Sequence, residues 1–142
     1  MMIRLLCITI IFFGFNASYI IQTTNASPKL GKIEFPASGS KKAQQHFIRG
    51  VAALHSFWYT EAIDSFQKST EADPEFAMGY WGEAMAHNAP LWERQDSKSA
   101  KAALSKISDL SELTQREQDY IQAVQILYGE GETLTRDKAY SN

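Results

Sequence analysis

The amino-acid sequence predicts an all-α protein made of short antiparallel helical hairpins that repeat along the chain. Three observations predict this fold. From Ala43 onward, apolar residues recur at the three- and four-residue spacing of a helix face. The connections between these stretches are short, and Pro74 stops one of the helices. A small residue at Gly50 is followed 34 positions later by another at Ala84, which indicates a repeating unit.

Composition limits the possible functions before any motif is considered. The chain has 142 residues, 44% of them hydrophobic, which is enough for one domain with a modest core. Lys and Arg total 14 against 16 Asp and Glu, so the chain lacks the basic face that nucleic acid requires. Cys7 is the single cysteine, which excludes an internal disulfide or a cysteine metal cluster. Packing alone must therefore stabilise the fold.

Residues 1–26 have the composition of a secretory signal peptide. Arg4 precedes an apolar stretch over residues 5–15, and small side chains at Thr24 and Ala26 predict cleavage after Ala26. We therefore expect an exported protein, periplasmic or extracellular, with no membrane span after cleavage. The alternative is a membrane anchor over residues 5–21, which is short for a bilayer core that needs about 20 apolar residues.

Residues 27–42 contain two prolines and two glycines and predict a linker. Within it, Ile33 and Phe35 are apolar enough to pack against the first helix. Ser38 or Ser40 is a candidate cap for the start of that helix.

The first hairpin is predicted on either side of the connection HSFW. Its first helix carries Phe47, Val51 and Leu54 on one face. Its second carries Tyr59, Ala62, Ile63 and Phe66, and it ends before Pro74.

Residues within this hairpin and just after it resemble the tetratricopeptide repeat (TPR) family. The matching positions are Gly50, Tyr59, Ala62, Phe66, Ser69, Pro74 and Ala84. The resemblance is specific over residues 43–87 and weaker over 97–128. It implies a TPR-like solenoid of about two and a half repeats over residues 43–128, in which Gly50 and Ala62 allow close helix crossing. The phrases HSFWYTEAIDSF and YWGEAM resemble exported bacterial repeat proteins, of which this chain would be an N-terminal fragment.

Further helices are predicted after the first hairpin. A third helix spans 77–87 and an irregular loop, NAPLWERQDS, follows it. Ser97 is a candidate cap for a fourth helix with Ala100, Ala103, Leu104 and Ile107 on one face. Thr114 and Glu117 form a predicted capping box before a fifth helix that ends at Gly129. Residues 129–142 are a predicted tail that contains the start of a sixth helix at about 136–140.

The family resemblance also implies a function. The first helix of each TPR pair lines a concave groove that binds a protein or peptide. The expected groove residues are Phe47, Val51, Leu54, Met78, Trp81, Met85, Asn88, Ile121 and Tyr128. Most are apolar. Some TPR proteins bind a C-terminal carboxylate with lysines and asparagines, and the corresponding positions here hold Phe47, Val51, Trp81 and Met85. We therefore expect a scaffold that binds an apolar or amphipathic segment. The alternative is that these side chains are core, covered by the segment around Ile33 and Phe35.

No catalytic, cofactor-binding or metal-binding set is expected. His46, His55 and His87 show no metal-ligand spacing, and GEGE after residue 128 follows a helix rather than a strand. The protein is therefore predicted to be non-enzymatic. The alternative is a substrate-recruiting segment of a longer exported enzyme whose catalytic part lies beyond Asn142. An unfinished helical stack also predicts either further C-terminal repeats or a homo-oligomer.

Overall fold

The computed structural model describes residues 30–129. The helices in this part of the chain are α1 (Lys41–His55), α2 (Tyr59–Ala72), α3 (Ala77–Ala86), α4 (Ser97–Leu104) and α5 (Gln115–Leu127). Two strands of two residues each, β1 (Asn88–Ala89) and β2 (Arg94–Gln95), lie between α3 and α4. The predicted all-α class is confirmed, and five helices follow one another along the described residues. The predicted signal peptide over residues 1–26 and the sixth helix over 136–140 lie outside the described residues.

Side-chain hydrogen bonds cap the start of three helices, α1, α4 and α5. Ser40 caps α1, as predicted, since its side chain accepts from the N–H of Ala43 at 3.3 Å. The capping box of α5 is also confirmed, with Thr114 and Glu117 exchanging side-chain and backbone bonds. The predicted cap of α4 is wrong by one residue. Asp96, not Ser97, accepts from the N–H of Ser99, at 3.0 Å, and its negative charge is favourable at a helix N-terminus.

The first three helices meet around the side chain of Phe66, which is fully buried. A Cβ added to Gly50 on α1 would lie 2.7 Å from this ring, and one added to Gly82 on α3 would lie 2.3 Å from it. Neither position has room for any side chain. The close packing of α1 and α3 on α2 therefore depends on two glycines on opposite sides of one phenylalanine.

The loop between α3 and α4 is more ordered than the sequence predicts. Strands β1 and β2 pair antiparallel, with Asn88 opposite Gln95, and a short 3₁₀ turn over Pro90–Trp92 joins them. Glu93 closes this turn in the left-handed region, with φ of 51°. The result is a small hairpin that projects Leu91 and Trp92 into solvent.

Residues 30–40, here named the strap, form an extended segment that packs on the helices. Ile33, Phe35 and Ala37 are partly buried against the core, whereas Lys32, Glu34 and Pro36 are exposed. This alternation is the two-residue period of extended backbone. The expected packing of Ile33 and Phe35 is confirmed, and this part of the predicted linker is an integral layer of the fold.

The five described helices have between 8 and 15 residues each. Among residues 30–129, none is long and apolar enough to cross a membrane.

Candidate functional site: the strap and its binding residues

The strap contacts α1, α3 and α5 through a group of aromatic rings. Phe35 lies 5.4 Å from Phe47 on α1, 5.8 Å from Trp81 on α3 and 5.5 Å from Tyr120 on α5, measured between ring centroids. The contact with Trp81 is stacked and that with Phe47 is edge-to-face, both favourable geometries. We name Phe35, Phe47, Trp81 and Tyr120 the inner aromatic cluster.

Arg116 on α5 closes this cluster from the solvent side. Its guanidinium carbon lies 4.8 Å from the ring centroid of Phe35 and 5.9 Å from that of Tyr120. The same side chain donates through Nη2 to the carbonyl oxygen of Pro36 at 2.7 Å. Arg116 therefore contacts both a side chain and a main-chain group of the strap.

Three further side chains bind the main chain of the strap. The amide of Gln44 donates to the carbonyl of Ala37, and a carboxylate oxygen of Asp73 accepts the N–H of Ser40 at 2.7 Å. Glu117 accepts the N–H of Ser38. Together with Arg116, these residues bind four main-chain groups within residues 36–40 of the strap. We name the strap site as the set of helix-side residues that touch the strap: Gln44, Phe47, Asp73, Trp81, Arg116, Glu117 and Tyr120.

Glu117 is the most deeply buried acid of this site, with 1% of its surface exposed. Its carboxylate also accepts the hydroxyl of Ser38 at 2.8 Å, the hydroxyl of Thr114 at 2.7 Å and the N–H of Thr114 at 3.0 Å. Burial on its own would raise the pKa of Glu117. The N–H and hydroxyl donors of Ser38 and Thr114 outweigh burial, so the pKa is lowered.

The predicted groove residues lie mostly inside the protein in this structure. Two of the nine, Leu54 and Met85, are half-buried, and the others are buried: Phe47, Val51, Met78, Trp81, Asn88, Ile121 and Tyr128. Phe47 and Trp81 come together at 6.3 Å, and the hydroxyl of Tyr128 donates to the carbonyl of Ala84 at 3.0 Å. The strap covers Phe47 and Trp81. These positions are therefore core, and the exposed groove surface expected from the sequence is not open here.

Two polar groups of α3, on Trp81 and Glu83, are buried in this interior. Glu83 stands where the repeat pattern usually has leucine, and its carboxylate accepts from the side-chain amide of Gln67 on α2 at 2.8 Å. The indole N–H of Trp81 has no acceptor among residues 30–129. A buried donor without a partner costs about 1–3 kcal/mol, so the inner aromatic cluster contains one unsatisfied hydrogen-bond donor.

Sequence reasoning missed two features of the molecule. The roles of Asp73, Arg116 and Glu117 toward the strap depend on contacts far apart in the chain, and no local pattern signals them. The second feature is a group of exposed aromatics. Trp92 contacts Phe57 at 6.1 Å and Tyr59 at 5.6 Å, beside exposed Trp58 and Leu91. We name these five residues the loop-tip cluster. Three consecutive aromatics in a connection were the available signal.

Within residues 30–129, no three His, Cys, Asp or Glu side chains are grouped so as to hold a metal ion. His46 and His87 are half-buried, and His55 is exposed at the end of α1.

Comparison with known proteins gives no relative for this chain: no family model, no curated protein and no solved structure matches it.

Proposed function

We propose that the protein is a non-enzymatic, TPR-like scaffold that binds an apolar or amphipathic segment of another protein. The binding surface is the strap site, where α1, α3 and α5 lie beneath the strap. The composition of residues 1–26 supports an activity outside the cytoplasm. The resemblance over residues 43–87 and the order of the helices support the class, and the strap site supports the binding surface.

One observation carries the proposal. Four residues of the strap site bind the main chain of the strap, and three aromatic rings contact the side chain of Phe35. Extended peptides are recognised by this combination, because main-chain hydrogen bonds supply affinity independent of sequence and side-chain pockets supply selectivity. Arg116, Glu117, Gln44 and Asp73 supply the first contribution. Phe47, Trp81 and Tyr120 supply the second.

A panel of unrelated peptides tests the function without assuming a motif. We expect peptides with aromatic and aliphatic residues to bind the protein. A peptide that differs from one of these only by an acidic C-terminus should bind with the same affinity. In a chain whose strap is weakened by Phe35→Ala and Ser38→Ala, Tyr120→Ala should weaken peptide binding several-fold, because Tyr120 is 40% exposed at the edge of the strap site. Ile126→Ala is the matched control, since Ile126 is a 53% exposed apolar residue on the same helix with no ring contact to the strap.

Two results would contradict the proposed function. One is binding confined to acidic C-termini. The other is an equal effect of Tyr120→Ala and Ile126→Ala on the affinity for every peptide in the panel.

A further inference from the structure

The strap is a bound peptide that the chain itself supplies, so its contacts describe the ligand that the strap site accepts. Phe35 is the side chain held by three rings and a guanidinium. Pro36 follows it, offering only a carbonyl, which Arg116 binds. Ser38, three residues after the aromatic, donates both its N–H and its hydroxyl to Glu117.

Each of these positions has a chemical requirement. The position of Phe35 needs a flat ring that can stack on an indole and lie under a guanidinium. The position of Pro36 uses only a carbonyl, which Arg116 binds, and proline restricts the residue before it to extended backbone. The position of Ser38 needs a hydroxyl, because a buried carboxylate that loses donors is left with an uncompensated charge.

The strap is also placed where an external segment can begin to replace it. A cleft of about 420 Å³ lies beside its C-terminal half, lined by Pro36, Ala37 and Ser38 on one side and by Thr114, Arg116 and Glu117 on the other. Phe35 is only partly buried, in contrast to the fully buried Phe47 beneath it. Pro36 and Ser38 are exposed, so an incoming chain reaches this part of the strap before it reaches the buried ring of Phe47.

We propose that the strap site binds extended protein segments of the pattern aromatic-proline-any-serine or threonine, and that the strap competes with them for the same contacts. This inference rests on the proposed function and names the ligand class of the same site. Because the strap is tethered beside the site, it acts at high effective concentration. The apparent affinity for an external segment is therefore the intrinsic affinity multiplied by the fraction of molecules in which the strap is released.

The experiment uses the full chain and a fluorescent peptide with the sequence GKIEFPASGS, blocked at both ends. Its affinity is measured for the wild type, for Ser38→Ala and for the Phe35→Ala/Ser38→Ala double variant. The double variant weakens the strap without altering the helix-side residues. We expect it to bind the peptide about tenfold more tightly than the wild type, with Ser38→Ala intermediate. Glu34→Ala is the matched control, since Glu34 is exposed on the strap between two inward side chains, and it should leave the affinity unchanged.

The peptide itself provides the second half of the test. Replacing its phenylalanine with alanine should abolish binding to the double variant, and replacing its first serine should weaken it. Glu117→Gln added to the double variant should remove the dependence on that serine. Circular dichroism of each variant establishes that the helices are retained.

Three outcomes would overturn the proposal. One is equal affinity of the wild type and the double variant for the peptide. Another is no binding to the double variant, which leaves the motif-free peptide panel to decide the proposed function separately. The third is a concentration-dependent dimer of the wild type, detected by light scattering and abolished by Phe35→Ala, because a second copy would then be the occupant of the site.

Discussion

The protein carries two groups of aromatic rings with similar spacing and opposite environments. In the inner aromatic cluster, ring centroids lie 5.4 to 5.8 Å from Phe35, and in the loop-tip cluster they lie 5.6 to 6.1 Å from Trp92. Trp81 is 5% exposed, whereas Trp92 is 51% exposed. The strap covers the first group, and no described residue covers the second. The distances between the rings therefore do not decide whether an aromatic cluster stabilises the fold. Burial of the rings by other residues does.

The two clusters also differ in the backbone that supports them. Phe47 and Trp81 sit within regular helices. In the loop-tip cluster, Phe57 has φ of 60°, and Glu93 next to Trp92 has φ of 51°. Left-handed backbone is uncommon for residues other than glycine, asparagine and aspartate and costs about 1 kcal/mol or more. The loop-tip cluster therefore rests on backbone with a conformational cost that the helical backbone of Phe47 and Trp81 does not carry.

The largest expected difference between the clusters is in global stability. Phe47→Ala should lower the free energy of unfolding by about 3–5 kcal/mol, because it removes a fully buried ring that contacts four other aromatic residues. Trp92→Ala removes a larger side chain but should cost about 1 kcal/mol or less. Urea denaturation of both variants measures the difference. Comparable losses of unfolding free energy in the two variants would show that the exposed cluster stabilises the fold as much as the buried one does.

A smaller effect concerns the carboxylate that binds the strap. The pKa of Glu117 is lowered from its ordinary value of 4.5 by the hydrogen bonds from Ser38 and Thr114, despite burial. A group whose pKa is lower in the folded state stabilises the fold above its unfolded pKa. That stabilisation is lost as the pH falls through the folded pKa. Glu117 should therefore contribute fully at pH 7 and progressively less below about pH 4.5.

Urea denaturation at a series of pH values tests this expectation against Glu117→Gln. The variant should be less stable than the wild type at pH 7, and the difference should narrow as the pH falls. Exposed acids such as Asp96 and Asp109, whose pKa values are also lowered by hydrogen bonds from Ser99 and Ser111, titrate in both proteins and cancel in the comparison. A constant difference across the series would show that the charge of Glu117 is irrelevant.

The smallest expected effect is at Phe57 in the loop-tip cluster. Phe57→Asn should leave the free energy of unfolding unchanged or raise it by up to about 1 kcal/mol, because asparagine tolerates left-handed backbone and the lost ring is half-exposed. Thermal unfolding monitored by circular dichroism measures it. A loss as large as that of Phe47→Ala would mean that the loop-tip cluster contributes to the core.

The helices were predictable because their signals are local. Thr114 and Glu117 define the start of α5 within four residues, and Pro74 follows directly on the end of α2. The cap of α4 was missed by one residue because Asp96 and Ser97 are both good capping residues and the sequence does not decide between them. The strap site was not predictable. Its bonds from Ser38 to Glu117 and from Arg116 to Pro36 join residues 79 and 80 positions apart.

Burial explains the remaining difference. The apolar stripe with Phe47 and Trp81 has the spacing of a helix face, and that spacing is identical whether the face binds a partner or packs inside. Only the strap, which has no periodic signal beyond a few residues, distinguishes the two. In the loop-tip cluster, the sequence offered three aromatics in a row, but the left-handed backbone of Phe57 is unusual for its residue type and could not be anticipated.

The separation of 79 residues between Ser38 and Glu117 also sets an order of assembly. Each helical hairpin joins residues close in the chain, so it can form as soon as it is made. The strap is synthesised before any of the helices, yet it cannot dock until α5 exists, because its anchoring carboxylate and guanidinium are on that helix. The strap is thus synthesised before the helices but docks on them only after α5 has formed. Until then, the rings of Phe47 and Trp81 lack the cover that Phe35 gives them in the folded protein.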